Sequence, residues 1–375
     1  MPDHAIAKVV AHPLRVKLPK AQRTGQGDFA VIEIVVVEVE TRDGIVGFGE
    51  CLARRGAAGY AAFIDEVFAP VLLGQDALDR RRLWKAMRAT LSGRAGGMQI
   101  EAIAGVDIAL WDIAGKAANL PVHKLLGGVG RKQVAAYASS INWLDDATCE
   151  AEIASAVNSG FRQIKVKLGK PLRDAVARAK LCRRLAPESV SLSVDSNWTY
   201  DVDEAIVVGR ALADLGYTWY EEPIRPEDRE GYRRLAAALP IRMAAGESDF
   251  TAGDALISLK DRSLGLIQPD VARAGGISET WRIAELAASH NTAYAPHVGW
   301  SGALCVAASL QLAAAAETFM TFECMVYENA LRQRLITEPV GDASLVRDGM
   351  VPVPQGPGLG VTIDRAVLDA HRIGA

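Results

Sequence analysis

From Lys167 to Glu323 a charged or ionisable side chain closes a short apolar run every 23 to 28 residues: Lys167, Asp195, Glu221, Glu247, Asp270, His297 and Glu323. The runs read VAAYASS, RQIKVKL, VSLSVDSN, YTWYEEP, IRMAAGE, LGLIQPD, TAYAPH and FMTFE, each long enough for one buried strand. Helical patterns such as DEAIVVGRALADLG and ISETWRIAELAASH separate most of them. Eight strands alternating with helices at a near-constant period predict an α/β fold of the (β/α) barrel type. An open doubly wound sheet is the competing architecture, but it would usually show a glycine-rich turn after its first strand, and none occurs. In a barrel the strand C-termini converge on one mouth, so the charged residues are expected to meet there.

The first 125 or so residues have a different texture. VIEIVVVEVETRDGIVGFGE, residues 31–50, predicts two β-branched strands joined by a turn at Arg42-Asp43-Gly44. The polar stretch LPKAQRTGQGDF, residues 18–29, reads as a loop, and residues 60–120 read as helical up to Pro121. This is an α+β unit. The end, VPVPQGPGLGVTIDRAVL, has turn chemistry and one short strand, and is expected to return to the N-terminal unit. Half of the 375 residues are hydrophobic, enough for a large core and two domains. A net charge of −3 and a pI near 6.1 argue against nucleic-acid or anionic-membrane partners. No run approaches the roughly 20 apolar residues of a membrane span, and MPDHAIAKVV lacks the features of a signal peptide. The five cysteines follow no metal-binding or redox spacing, which fits reduced, buried thiols in a cytoplasmic protein.

The chemistry follows from the set of strand ends rather than from any one of them. Asp195, Glu221 and Glu247 on consecutive strands would repel strongly at close range, and a hard divalent cation resolves the conflict. Oxygen-only ligands favour Mg²⁺, with Mn²⁺ as a substitute, over zinc. Alternation alone does not decide whether Glu221 or Glu222 faces inward. Asp195 and Asn197 share a face, so both can look into the mouth. Asp270 and His297, at the ends of neighbouring strands, suit a carboxylate orienting an imidazole for acid–base work. Lys165 and Lys167 also share a face, and the charge of one is expected to lower the pKa of the other towards neutrality. Lys167, nearer the mouth, becomes a usable base, and Lys165 tunes it and neutralises a substrate carboxylate. His4, His12, His123, His290 and His371 lack such a setting.

The ordered motifs KVK, DSN, EEP, GE, QPD and PH, followed by a strand-ending Glu, resemble the enolase superfamily, in particular its mandelate racemase-like subgroup. GIVGFGE, GVDIALWDIAGK, LPVHKLLGG and GPGLG extend the likeness over nearly the whole chain. The resemblance implies a modified (β/α)₇β barrel over residues 126–345, with an α+β capping domain at 1–125 completed by 346–375. It implies Asp195, Glu221 and Glu247 as Mg²⁺ ligands, with Lys167 and the Asp270–His297 pair on opposite sides of the substrate α-carbon. Glu323 would hydrogen-bond the substrate carboxylate as it gains charge, and is preferred to Glu317 because MTFE reads as strand and LQLAAAAE as helix. Asn197 would lie near a substrate hydroxyl.

The implied reaction is removal of the proton α to the carboxylate of a small-molecule acid. Loss of a 3-hydroxyl would make the protein an acid-sugar dehydratase giving a 2-keto-3-deoxy acid. Return of the proton would make it a racemase or epimerase, and opening of a lactone a cycloisomerase. A barrel that binds without catalysing is the remote alternative. The polarity of 18–29, with Lys20, Gln22, Arg23, Thr24 and Gln26, suits a polyhydroxylated acid, as do Ser139, Ser140 and Asn142. Arg23, Ser140 and Trp300, the last in the loop after His297, are the candidate substrate contacts outside the strand-end set. Homo-oligomers are usual in the resembled family.

Overall fold

The computed structural model describes residues 3–142 and 145–374. Three antiparallel strands open the chain in the order β1 (Ile6–Thr24), β2 (Gly27–Thr41), β3 (Val46–Cys51). The expected turn joins β2 to β3. The expected loop at 18–29 is instead the tip of a long β1–β2 hairpin, with Gln22 opposite Phe29 and Thr24 opposite Gly27. Its polar side chains concealed the pairing, because the backbone hydrogen bonds of a hairpin tip do not depend on apolar residues. The opening strand itself also escaped prediction. It carries Pro13, which an edge strand tolerates: among the named strands β1 pairs with β2, and its outer edge meets the chain elsewhere through an isolated bridge from Leu14 to Arg372.

The period of two in β2 serves two cores. Val35, Val37 and Val39 pack with Ile64, Phe68, Ile100 and Ile103 of the N-terminal unit. Ile32, Ile34 and Val36 face the main core, which continues into the barrel. The helix Gly97–Ala118 is buried along most of its length, consistent with its nearly continuous apolar composition. It lies so close to β3 that a Cβ on Gly49 would sit 2.0 Å from the Gly105 carbonyl oxygen, which accounts for the glycine in GFGE. Asn119 ends the helix at φ 52°, just before Pro121.

Parallel strands follow: β4 (Gln133–Ile141), β5 (Gln163–Lys167), β6 (Ser191–Asp195), β7 (Trp219–Glu221), β8 (Arg242–Ala245), β9 (Leu266–Ile267), β10 (Ala293–Tyr294) and β11 (Phe322–Met325). Each pairs with the next from β4 to β10, and β11 pairs with β4. Tyr294 bridges Phe319 just before β11, closing the ring and removing the open-sheet alternative. The C-terminal segment first adds β12 (Met350–Pro352) antiparallel to β4, a contact with the barrel that the turn-rich sequence did not reveal. Beyond it the segment reaches the N-terminal unit, through Leu359 N–H to Asp112 at 2.9 Å and Arg365 to Glu38 at 2.6 and 2.9 Å. All five cysteines are free and buried. Among the described residues no helix is long and apolar enough to cross a membrane.

Candidate active site

Strand register brings the charged ends together. Lys167 lies opposite Asp195, and Asp195 opposite Glu221, so three neighbouring strands present them at one level. Glu247 follows the end of β8. Asp195, Glu221 and Glu247 are buried, and each offers an oxygen within 4.8 Å of the others. Glu222, adopting φ 40°, is buried beside them with one carboxylate oxygen unpartnered. Burial, then the charges of Glu247, Asp195 and Glu221, hold its carboxyl well above the usual range.

Lys165 is fully buried. Its Nζ lies 2.6 Å from Glu221 Oε1 and 2.9 Å from Glu323 Oε1, with the Tyr137 ring centroid 5.2 Å away. Burial pulls its pKa down, but Glu221 and Glu323 outweigh that and leave it raised. Lys167 donates to Asp195 Oδ2. Here the structure corrects the expectation that Lys165 brings Lys167 towards neutrality. Burial and Lys165 do act to lower it, but the Asp195 carboxylate offsets both, and the Lys167 pKa is raised.

On another side of the mouth His297 Nδ1 lies 2.8 Å from Asp270 Oδ2, and its Nε2 lies 3.1 Å from Glu247 Oε2. Burial disfavours the imidazolium, yet Glu247, Glu323 and Asp270 raise its pKa well above the ordinary value. As an imidazolium the ring would donate from both nitrogens. Glu323 accepts from Ser139 Oγ at 2.8 Å and from Val298 N–H at 2.8 Å. Burial would raise its pKa, but Lys165 and His297 hold it well below the usual range. In this arrangement Glu323 is an acceptor, so the expected role as a donor to the substrate requires it first to take up a proton. Glu317 is exposed.

A cavity of about 380 Å³ joins these groups, with Lys167, Asn197, Glu247, His297 and Glu323 on its barrel side. Asn197 hydrogen-bonds Asp195 through its backbone N–H at 2.9 Å and side-chain amide at 3.1 Å, leaving its own Oδ1 unpartnered. Ser140 and Trp300 line the cavity as well, and Trp300 stacks on Phe29 from the hairpin with ring centroids 3.9 Å apart. Arg23 is not among the lining residues; its guanidinium lies 3.5 Å from Asp28. Thr24 and Gln26 of the same hairpin do line it. Arg54 and Arg55, just after β3, complete the roof. Sequence reasoning missed both arginines, and two cations in succession directly after a strand were the available signal.

The donor set fits a divalent cation. Among the described residues, six buried carboxyl groups (Asp195, Glu221, Glu222, Glu247, Asp270 and Glu323) cluster with the buried side chains of Lys165, Lys167 and His297, and Arg54 reaches Glu247 from the roof. The clustered trio supplies oxygen only, as a hard metal requires.

A closed barrel whose mouth holds a carboxylate trio between a lysine pair and a His–Asp pair defines the class: a barrel protein with an acidic cluster that could hold a metal ion. Residues 7–127 match the mandelate racemase / muconate lactonizing enzyme N-terminal domain family, and residues 148–367 match the enolase C-terminal domain-like family. The chain belongs to this mandelate racemase-like branch of the enolase superfamily. It is 34% identical over 354 residues to D-galactarolactone cycloisomerase of Agrobacterium fabrum, covering 90% of this chain and 91% of that protein. It is 35% identical over 346 residues to arabinonate dehydratase of Saccharolobus solfataricus, covering 91% of each. A racemase from Streptomyces coelicolor, solved with bound magnesium, superposes with a TM-score of 0.90 at 31% identity, covering 98% of this chain and all of that one.

Proposed function

We propose that the protein is a Mg²⁺-dependent acid-sugar dehydratase, taking a 2-hydroxy carboxylate to a 2-keto-3-deoxy acid. The observation that carries the reading is that Lys167 and His297 open onto one cavity that Glu247, a member of the clustered carboxylate trio, also lines. Their strands, β5 and β10, are separated in the ring by β4 and β11 one way and by β6 to β9 the other. The catalytic groups belong to the 126–345 barrel, with the 1–125 unit as its roof. Asp195, Glu221 and Glu247 would hold Mg²⁺, with Mn²⁺ able to replace it. Bound there, the cation supplies Lewis-acid stabilisation of the second negative charge on the substrate carboxylate.

Lys167 Nζ takes the α-proton, and the C–H electron pair becomes the new C=C bond. To act as base, Lys167 must leave its ion pair with Asp195, whose carboxylate would also serve the metal site, and give up its own proton to solvent before substrate closes the cavity. Lys165, fixed between Glu221 and Glu323, keeps a permanent positive charge near the substrate carboxylate. His297 as imidazolium gives its Nε2 proton to the departing 3-hydroxyl, which leaves as water. Asp270 holds the ring in place through Nδ1. The resulting enol tautomerises to the 2-keto product. The likeness to D-galactarolactone cycloisomerase supports a second reading, in which the departing oxygen is that of a lactone.

Incubation with Mg²⁺ and a panel of aldonic and aldaric acids, assayed for 2-keto-3-deoxy products, tests the first reading. Turnover of at least one acid is expected, with a loss of at least 100-fold in Lys167→Ala. Absence of product from every acid and lactone sinks the dehydratase reading.

A further inference from the structure

The catalytic cavity and a larger neighbouring recess of about 840 Å³ share three lining residues, Gln26, Arg54 and Trp198. Arg54 Nε, Arg54 Nη2 and Trp198 Nε1 are buried N–H donors with no hydrogen-bond partner. Glu247 is the acid paired with Arg54, but its oxygen lies 3.6 Å from Nη2, too far for a hydrogen bond, and it is already engaged by His297. Arg55 adds a second guanidinium to the roof. The recess beyond carries Arg94, Arg225, Arg229 and Arg273 against Glu227, Asp249 and Asp254, so its wall is net cationic.

Backbone contacts hold this roof in place. Leu52 N–H donates to the Ala272 carbonyl of the barrel at 3.0 Å, and Arg54 adopts φ 50°. The Arg54 side chain is 29% exposed, but its shielded Nε and Nη2 donors are costly to leave unmet unless an acceptor arrives. The reacting carboxylate belongs on the floor, beside Lys165 and the carboxylate trio. The roof donors therefore face the other end of the substrate.

We propose that Arg54, supported by Trp198 and Arg55, binds a second carboxylate at the far end of the substrate. The preferred substrates are then dicarboxylic acid sugars rather than monocarboxylic ones. The proposal rests on the acid-sugar reading above and narrows it.

Binding tests it separately from turnover. Full-length Lys167→Ala protein in Mg²⁺ is titrated calorimetrically with a matched diacid and monoacid, such as galactarate and galactonate. The diacid is expected to bind at least tenfold more tightly. Adding Arg54→Gln should bring the ratio below threefold, whereas Arg54→Lys should retain part of it. Equal affinities for the two acids, or a ratio unchanged by Arg54→Gln, overturn the proposal. A 6-phosphohexonate binding more tightly than the diacid also overturns it, by making the far group a phosphate. A diacid preference in binding, with no turnover of any acid by the wild-type protein, would support the second-carboxylate site and reject the dehydratase reading.

Discussion

Within the mouth, identity and protonation have different origins. That Asp195, Glu221 and Glu247 are acids at strand ends is visible in the chain, because the same chemistry recurs at one period. The pKa of Lys167 is not, because two neighbours pull it in opposite directions and only register decides between them. Register sets Asp195 opposite Lys167, while Lys165 turns to Glu221 and Glu323. The excess of buried carboxyl groups over cations leads to a prediction at this scale. A cation bound by the trio stabilises the folded state by about 2.7 kcal/mol at a hundred times its dissociation constant. Melting curves across a Mg²⁺ series should therefore rise by a few degrees and fall back on chelation. A midpoint indifferent to Mg²⁺ would remove the metal from the account.

Between elements, a single carboxylate links the roof to the catalytic loop. Glu50, in β3, accepts from Gly302 N–H at 2.6 Å and Cys305 N–H at 3.1 Å, at the start of the helix Ala303–Ala315. That helix follows the loop bearing His297 and Trp300. Glu50→Ala would leave two buried N–H groups without acceptors, at about 1–3 kcal/mol each. Denaturant unfolding should show a loss of about 2–4 kcal/mol, and a change below 0.5 kcal/mol would refute the anchoring role. The glycines of GFGE were legible as a motif, but the close approach of a helix to β3 that explains them was not. The hairpin tip failed for a related reason. Its residues are polar because they reach over a mouth, and the strand pairing resides in backbone groups common to every residue.

At the scale of the molecule, the cavity lies between two units that the C-terminal segment helps to hold together. Arg365 pairs with Glu38 of β2, and His12 Nε2 lies 3.0 Å from the same carboxylate. The Arg365 hydrogen bond, opposed by burial and assisted by His12, lowers the Glu38 pKa below its ordinary 4.5. A carboxylate with a depressed folded-state pKa contributes stability above its unfolded value and loses it as the pH falls through the folded one. Glu38→Gln should therefore cost about 1–2 kcal/mol at pH 7, discounted because Arg365 is half exposed. The difference from wild type should shrink steadily below pH 4.5 in denaturant unfolding. A difference constant from pH 7 to pH 3 would contradict the ion-pair account.

The chain by itself determined the alternation of strands and helices, the chemistry at each strand end and the family, because these reside in local pattern and in the order of motifs. Only the tertiary structure decided what lies opposite what. It selected Glu221 over Glu222 for the trio and set Asp195 against Lys167. It closed the ring at Tyr294 and Phe319 and brought Arg54 over the mouth. Each of those depends on a contact between residues far apart in sequence, and charge and hydrogen bonding act over distances that strand register, not chain position, sets.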